Sequence, residues 1–239
     1  MSKTYINNMI FMSILLFVNA ANSAVSLDRT RIIYNGDNKS MTVNISNDNK
    51  SLPYLAQAWL EDSQGKKLIM GPLIATPPVQ RLEPDSKSMV RLSLSDSNLP
   101  KDHESLFYFN LREIPPKSKK ANVLQIALQT KVKVFYRPES IKSKPNEIWQ
   151  DQIIFEENKN GYNLINPTPY FVTITAIFGN EKELSKTDFK PIMLSPKSET
   201  NVKSRHYKRP MFSYINDYGG RPIIEMNCKN RVCHADKNK

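Results

Sequence analysis

Histidine and cysteine are the residue types in this chain that most often carry catalysis or bind metal ions. The three histidines are His103, His206 and His234. Their spacing matches no metal-ligand pattern, and the sequence has no nucleophile elbow, glycine-rich phosphate loop or motif of paired carboxylates. The sequence therefore favours a protein that is not an enzyme, with no catalytic residue, cofactor or metal ion.

The N-terminal residues have the pattern of a secretory signal peptide. Lys3 gives the start of the chain a positive charge, and a nearly unbroken apolar run covers residues 9–18. Small residues at Ala21 and Ser23 fit a signal-peptidase site with cleavage directly after Ser23. A membrane anchor is the alternative, but a spanning helix needs about 20 apolar residues. We therefore expect residues 1–23 to be a cleaved signal and the protein to be exported.

The two cysteines lie close together near the C-terminus. Cys228 and Cys233 are separated by four residues, and in an exported protein such a pair most simply forms a disulfide bond. A zinc site could recruit the adjacent His234, but the sequence shows no fourth ligand, which a tetrahedral structural site needs. We expect a disulfide that holds a terminal hairpin together.

Basic residues outnumber acidic ones, and the formal net charge is +11. Such a charge favours an acidic or polyanionic partner, or serves only solubility. The basic residues are spread along the chain, and the sequence contains no zinc finger or RNP motif. We therefore expect no nucleic-acid partner.

After residue 23 the sequence alternates between short β-rich runs and turn-forming segments. Runs of β-branched, aromatic or alternating residues predict strands in two series. The first series covers residues 41–46, 54–60, 89–94, 106–114 and 123–136. The second covers residues 152–156, 170–178, 190–194, 212–215 and 222–226. A polar, proline-containing connector at residues 141–146 separates them. The pattern predicts an all-β chain of two β-sandwich domains, residues 24–143 and residues 144–239.

The longest run has one apolar and one polar face. The even positions of residues 123–134 are Leu124, Ile126, Leu128, Thr130, Val132 and Val134. The odd positions include Gln125, Gln129, Lys131 and Lys133. The apolar row is longer than a usual strand of about five or six residues. It fits either a long core strand or an edge strand that binds another protein, and alternation alone does not separate the two.

Long blocks of the sequence resemble the periplasmic pilus-assembly chaperone family. The most characteristic block is residues 99–115, Leu-Pro-Lys-Asp-His-Glu-Ser-Leu-Phe-Tyr-Phe-Asn-Leu-Arg-Glu-Ile-Pro. Further similar blocks are residues 24–31, 52–59, 75–82, 121–137 and 213–222. The divergent segments are residues 37–40, 94–98 and 179–190. The resemblance thus extends over nearly the whole chain after residue 23.

This resemblance implies two immunoglobulin-like domains with a cleft between them, and a chaperone for pilus subunits. Such a subunit lacks its last strand, and the chaperone lends an edge strand of its own. Carried over by residue, the donor side chains are Leu124, Ile126 and Leu128, and the anchor for the subunit's C-terminal carboxylate is Arg31 with Lys133. Strict alternation places Lys133 and Leu128 on opposite faces. Either a bulge or strong twist intervenes, or the two groups serve different surfaces.

The resemblance also implies an ionic network between the domains. Its members would be Glu104, Arg137 and Asp217, although scattered surface pairs are the simpler alternative. The bond between Thr76 and Pro77 matches a position that is cis in the family, which the sequence cannot show. In the family, the chaperone works in the periplasm and delivers its subunit to an outer-membrane usher. The sequence does not name the client subunits or say whether the free protein self-associates.

A structural or adhesive pilus subunit is the alternative function. A subunit would consist of one sandwich with a separate N-terminal extension for strand exchange. Here residues 26–31 lead directly into the first domain, and a second domain follows. We therefore expect a chaperone.

Overall fold

The computed structural model describes residues 24–95, 98–120, 122–145 and 147–236. The expected signal peptide, residues 1–23, lies outside the described residues. The described chain is all-β apart from three short 3-10 helices at Glu139–Ile141, Trp149–Gln152 and Glu181–Lys186. None of its helices has the length and apolar character that crossing a membrane requires. The predicted fold class is confirmed.

The N-terminal domain is a sandwich of two sheets. Its strands are β1 (Val25–Leu27), β2 (Arg31–Asn35), β3 (Ser40–Asn47), β4 (Tyr54–Glu61), β5 (Leu73–Thr76), β6 (Val79–Leu82), β7 (Ser86–Leu94), β8 (Ser105–Ile114) and β9 (Gln129–Arg137). One sheet has the order β1-β3-β7-β5, and the other has the order β2-β9-β8-β4-β6. The bond between Thr76 and Pro77 is cis and lies where the chain passes from β5 in one sheet to β6 in the other.

Alternating apolar residues of both sheets form the core of this domain. On β8 the inward side chains are Phe107, Phe109 and Leu111, and on β9 they are Val132 and Val134. All five are buried, because successive side chains of a strand point to opposite faces and only one face meets the other sheet. The outward face of the β9 sheet therefore carries the polar positions of the same strands.

The C-terminal domain is a two-layered sandwich whose eight strands are hydrogen-bonded in one continuous sheet. Its strands are β10 (Ile154–Asn158), β11 (Gly161–Asn166), β12 (Val172–Phe178), β13 (Ile192–Leu194), β14 (Ser198–Lys203), β15 (Met211–Ile215), β16 (Ile223–Lys229) and β17 (Val232–Ala235). The order is β13-β12-β15-β16-β17-β10-β11-β14. Phe155, Tyr162 and Phe212 fill the second core.

The expected disulfide joins Cys228 to Cys233. The two residues lie opposite each other in the β16–β17 hairpin, as predicted. Asn230 and Arg231 at its tip have φ values of 51° and 68°, which is the positive-φ pair of a type I′ turn. The disulfide thus closes a hairpin that its turn already favours.

The predicted strand over residues 123–136 is too long at its N-terminal end. The hydrogen-bonded strand begins at Gln129, and residues 123–128 are outside any strand. The apolar alternation is real, but a strand also needs a neighbour on at least one side. This correction bears directly on the candidate site.

Candidate functional site

Strand β9 has an open edge along its N-terminal half. On one side it pairs antiparallel with β8 from Gln129 to Tyr136. On the other side it pairs parallel with β2, and this pairing begins only at Lys133. No other described strand pairs with residues 129–132 on that side. This stretch is therefore an exposed sheet edge, which is a template for pairing with another chain.

The backbone groups of the odd-numbered residues of β9 face this open side. The amide of Gly36, which follows β2, donates to the carbonyl oxygen of Arg137 at 2.7 Å, so Arg137 faces the β2 side. In an antiparallel ladder alternate residues bond to the same neighbour. Gln129 and Lys131 consequently present their N–H and C=O groups to the open edge.

The three predicted donor side chains lie ahead of β9, and all three are exposed, Leu128 the least. Leu124, Ile126 and Leu128 are 87%, 66% and 46% exposed. The backbone oxygen of Leu128 accepts from the amide of Glu113 at 3.0 Å, which continues the β8–β9 pairing by one residue. The row is therefore in phase with the buried Val132 of β9. The core-strand interpretation is wrong for these residues, because the apolar row continues past the end of the core.

The predicted conflict between Lys133 and Leu128 is resolved without a bulge. The β8–β9 pairs advance one residue at a time from Ser105 opposite Tyr136 to Arg112 opposite Gln129. Lys133 therefore points to the face of β9 opposite its even-numbered residues, and Leu128 continues the even-numbered row just before the strand begins. The apolar row and the cations serve different surfaces of one edge.

Arg31 and Lys133 are brought together at the end of the open edge. They are the first pair of the parallel β2–β9 ladder, and neither forms an ion pair with any described residue. Arg31 Nη1 donates to the carbonyl oxygen of Ile215 at 3.2 Å, and its guanidinium lies 5.7 Å from the ring centroid of Phe135. The buried Nε of Arg31 has no hydrogen-bond partner among the described residues. Two adjacent cations with spare donors are suited to hold an anion.

The pKa shifts of Arg31 and Lys133 also favour the binding of an anion by this pair. Desolvation lowers the pKa of Lys133, and the neighbouring charge of Arg31 lowers it further. Desolvation also lowers the pKa of Arg31, against the attraction of Asp217 and Glu104. Both shifts have the sign of positive charges that are partly buried without a matching carboxylate. A bound carboxylate would remove this penalty.

The predicted ionic network joins the two domains. Arg137 lies 2.8 Å from Glu104 Oε1 and 2.8 Å from Asp217 Oδ2, which belongs to the C-terminal domain. Glu104 Oε2 accepts from the amide of Phe171 at 2.8 Å, again across the domain boundary. The guanidinium of Arg137 also lies 4.8 Å from the ring centroid of Trp149. These contacts fix how the two domains meet.

Desolvation opposes the charged forms of the buried residues Glu104 and Arg137. Burial raises the pKa of Glu104 to about 7, despite the opposing charge of Arg137. Burial lowers the pKa of Arg137, but the hydrogen bonds that Arg137 donates to Asp217 and the charge of Glu104 outweigh it, so the net shift is upward. A buried network of this kind is weak evidence for net stability, because the desolvation of its charges offsets their attraction.

The cleft between the domains opens beside the network. It has a volume of about 840 Å³, and its walls include Arg31, Ile33, Trp149, Asp217 and Tyr218. The walls approach closely at Gly219, where a Cβ atom would lie 2.7 Å from Thr30 Oγ1 and where φ is +84°. Glycine at this position therefore permits the contact between the domains.

Glu113 is a site residue that the sequence analysis missed. Its carboxylate accepts from the amide of Val25 at 2.9 Å and from the amide of Leu128 at 3.4 Å. It therefore ties the base of the donor segment to β1. The signal was present in the sequence, since Glu113 continues the inward row of Phe109 and Leu111 on β8, where a carboxylate needs buried partners.

The described residues bring no catalytic or metal-binding group together at this site. Among them, Glu157, Cys228 and Cys233 form the one set of potential metal ligands, and the disulfide occupies both sulfur atoms. His103 Nδ1 lies 2.8 Å from Asp102 Oδ1 at the surface, and His206 Nε2 bonds to the backbone oxygens of Asn158 and Gly161. The arrangement is that of a binding surface.

Known proteins are similar to this chain in both sequence and fold. Residues 24–142 match the family described as "Pili and flagellar-assembly chaperone, PapD N-terminal domain", and residues 148–225 match "Pili assembly chaperone PapD, C-terminal domain". The chain is 60% identical to the chaperone protein PapD of Escherichia coli over 94% of this chain and 95% of that protein. It is 42% identical to the chaperone protein PmfD of Proteus mirabilis, over 92% and 89% of the two chains.

Solved structures agree with this assignment. The crystal structure of the periplasmic chaperone SfaE aligns with a TM-score of 0.68 at 27% identity, over 84% of this chain and 98% of that one. The crystal structure of the YadV chaperone aligns with a TM-score of 0.65 at 30% identity, over 85% and 98%. The chain therefore belongs to the PapD family of pilus-assembly chaperones.

Proposed function

We propose that this protein is exported to the periplasm, captures pilus subunits by donating β9 and the segment before it, and delivers them to an outer-membrane usher. The mature protein would begin after residue 23, with domains at residues 24–143 and 144–239. The observation that carries the proposal is an open sheet edge that is preceded by an exposed apolar row and ends at two cations with no ion-pair partner among the described residues.

The geometry of the edge favours one direction for the bound strand. β2 occupies the edge from Lys133 onward and runs parallel to β9. A guest strand on the same edge would lie in line with β2 and end beside Arg31. A parallel guest brings its C-terminal carboxylate to Arg31 and Lys133, whereas an antiparallel guest would bring its positive N-terminus there. Charge complementarity thus favours a subunit's C-terminal strand, running parallel to β9.

The donor row would supply most of the apolar contact. Burying Leu124, Ile126 and Leu128 contributes roughly 1.5–3 kcal/mol each, or about 5–9 kcal/mol together before ordering costs are subtracted. Residues 123–128 belong to no strand in the free protein, so pairing with a subunit would also extend β9 through this segment. The carboxylate anchor would fix the register of the bound strand, which the apolar contacts alone do not specify.

The test is to identify and characterise what the tagged protein holds in the periplasm. We expect mass spectrometry to find pilus subunits and size-exclusion chromatography to give a one-to-one complex. The variant Ala127→Pro should block strand donation, because proline cannot donate a backbone hydrogen bond and restricts the preceding residue. Polymers of the protein itself would instead support the alternative function, a pilus subunit. Undiminished recovery of subunits with Ala127→Pro would contradict strand donation.

A further inference from the structure

A second cation lies on the open edge, two residues before the anchor. Lys131 and Lys133 both point outward from β9, and the backbone of Lys131 faces the open side. A carboxylate that ends two residues early along the edge would meet Lys131 instead of Arg31 and Lys133. The edge therefore offers two positions at which a bound strand could end.

The apolar row cannot choose between these two positions. Side chains alternate with a period of two, so a strand that slips by two residues keeps every side chain on its original face. Apolar side chains of the guest would still meet Leu124, Ile126 and Leu128 in the slipped register. The choice must therefore come from the charges at the end of the edge.

Glu61 neutralises the competing cation. Its Oε2 lies 2.5 Å from Lys131 Nζ, and its Oε1 accepts from Trp59 Nε1 at 2.9 Å. Lys131 Nζ also lies 4.4 Å from the ring centroid of Tyr108, so the side chain extends across β8 and away from the open edge. The Glu61 side chain is only 13% exposed, which holds the carboxylate in place.

The arrangement discriminates between the two lysines. Glu61 pairs with Tyr108 across the sheet, and Tyr108 pairs with Lys133, so Glu61 lies in the same row as Lys133. Its carboxylate nevertheless bonds to Lys131 of the neighbouring row, and Lys133 has no ion-pair partner among the described residues. Lys131 is thus neutralised while the anchor remains charged.

We infer that Glu61 is a positioning residue that sets the register of the bound strand by withdrawing Lys131 from the open edge. The inference rests on the proposed function, since it concerns the same edge and the same carboxylate. Without Glu61, the edge would present cations at both positions, and strands would bind in two registers.

Disulfide trapping tests this register directly. The probe is a synthetic peptide of alternating valine and threonine with a free C-terminal carboxylate and one cysteine third from its C-terminus. In the anchored register this cysteine faces Gln129→Cys, and in the slipped register it faces Ala127→Cys. In the otherwise wild-type protein we expect trapping mainly at position 129. Glu61→Gln should raise the ratio of trapping at 127 to trapping at 129 by about two- to fivefold, because it removes a single ion pair whose lysine is 41% exposed.

A double variant separates register control from simple stabilisation of the sheet. Glu61→Gln with Lys131→Gln should return the ratio to the wild-type value, because the competing cation is gone. Glu83→Gln, which removes an exposed carboxylate paired with Arg81, is the matched control and should leave the ratio unchanged. Circular dichroism verifies that each variant is folded.

The outcomes distinguish the inference from the proposal beneath it. An unchanged ratio in Glu61→Gln, or no rescue by Lys131→Gln, would overturn the role of Glu61 and leave strand donation intact. If a peptide with an amidated C-terminus is trapped as fast as the free carboxylate, the anchor itself is wrong and the proposed function fails.

Discussion

Glu104 and Arg137 form a buried ion pair across 2.8 Å, and both side chains are almost wholly inaccessible. Glu104 reaches the C-terminal domain through the amide of Phe171, and Arg137 reaches it through Asp217. The pair therefore connects the packing of β8 and β9 to the position of the second domain. The relative position of the two walls of the cleft therefore depends on this ion pair.

Replacing Arg137 by methionine should destabilise the protein strongly. The change leaves Glu104 buried without its cation, which typically costs about 3–5 kcal/mol. Urea denaturation measures the free energy of unfolding. Arg81→Met is the matched control, because it breaks an exposed pair with Glu83 that is worth ~0–1 kcal/mol. Equal losses of unfolding free energy in the two variants would show that the buried network contributes no more to stability than an exposed ion pair does.

The stability of the protein should depend on pH through Glu104. The pKa of this carboxyl is about 7 in the folded protein against its ordinary value of 4.5, so between these pH values the folded state retains a proton that the unfolded state has lost. This contribution is fully present below about pH 4.5 and is lost as the pH rises through 7. Unfolding free energies of wild type and Glu104→Gln should therefore diverge over that window, with the wild type falling relative to the variant. Parallel pH profiles would contradict the shift.

Removing either anchor cation should abolish binding without harming the fold. Arg31→Ala and Lys133→Ala each remove one of two like charges with no ion-pair partner among the described residues, so circular dichroism and melting should change little. Each change should cost about 2–5 kcal/mol of subunit affinity if the site is desolvated on binding. Recovery of subunits from the periplasm is the measurement, and Lys87→Ala on the other sheet is the control. Normal recovery with both anchor variants would refute the site.

A charge in the donor row should have the same effect for a different reason. Ile126 is 66% exposed in the free protein, so Ile126→Glu should leave its stability unchanged. In the complex the carboxylate would be buried in an apolar groove without a partner, which is strongly unfavourable. Gln125→Glu places the same charge on the opposite face and should bind nearly as well as wild type. If both variants lose subunits equally, charge on the segment matters and the face does not.

The terminal disulfide should contribute modestly to stability and nothing to binding. Its loop is short, so in the chain-entropy account its removal costs about 2 kcal/mol. Cys228→Ser with Cys233→Ser should lower the melting temperature and retain subunit binding. We expect binding to be retained because the hairpin lies in the C-terminal domain and outside the cleft lining. Loss of binding at unchanged stability would point to a contact that the free protein does not show.

Alternation along the chain was enough to predict the all-β class and most long strands, because period-two patterning is a local property of the sequence. It missed the short strands β1, β2, β5 and β6, whose lengths of three to five residues leave little pattern to read. It also missed β11 and β14, which are six residues long. The blocks that resemble the chaperone family predicted the family, together with the donor, anchor and network residues. Residue type and order were sufficient for making these predictions.

The tertiary structure decided which of these residues meet and which surfaces stay open. Alternation shows that Leu124 to Leu128 has an apolar face, but whether that face is covered depends on where other strands lie. The pairing of Arg31 with Lys133 joins strands that are far apart in sequence, and the bond of Glu61 to Lys131 links β4 to β9 across the intervening β8. Such contacts follow from sheet order and register, which no local pattern specifies, so only the folded chain could reveal them.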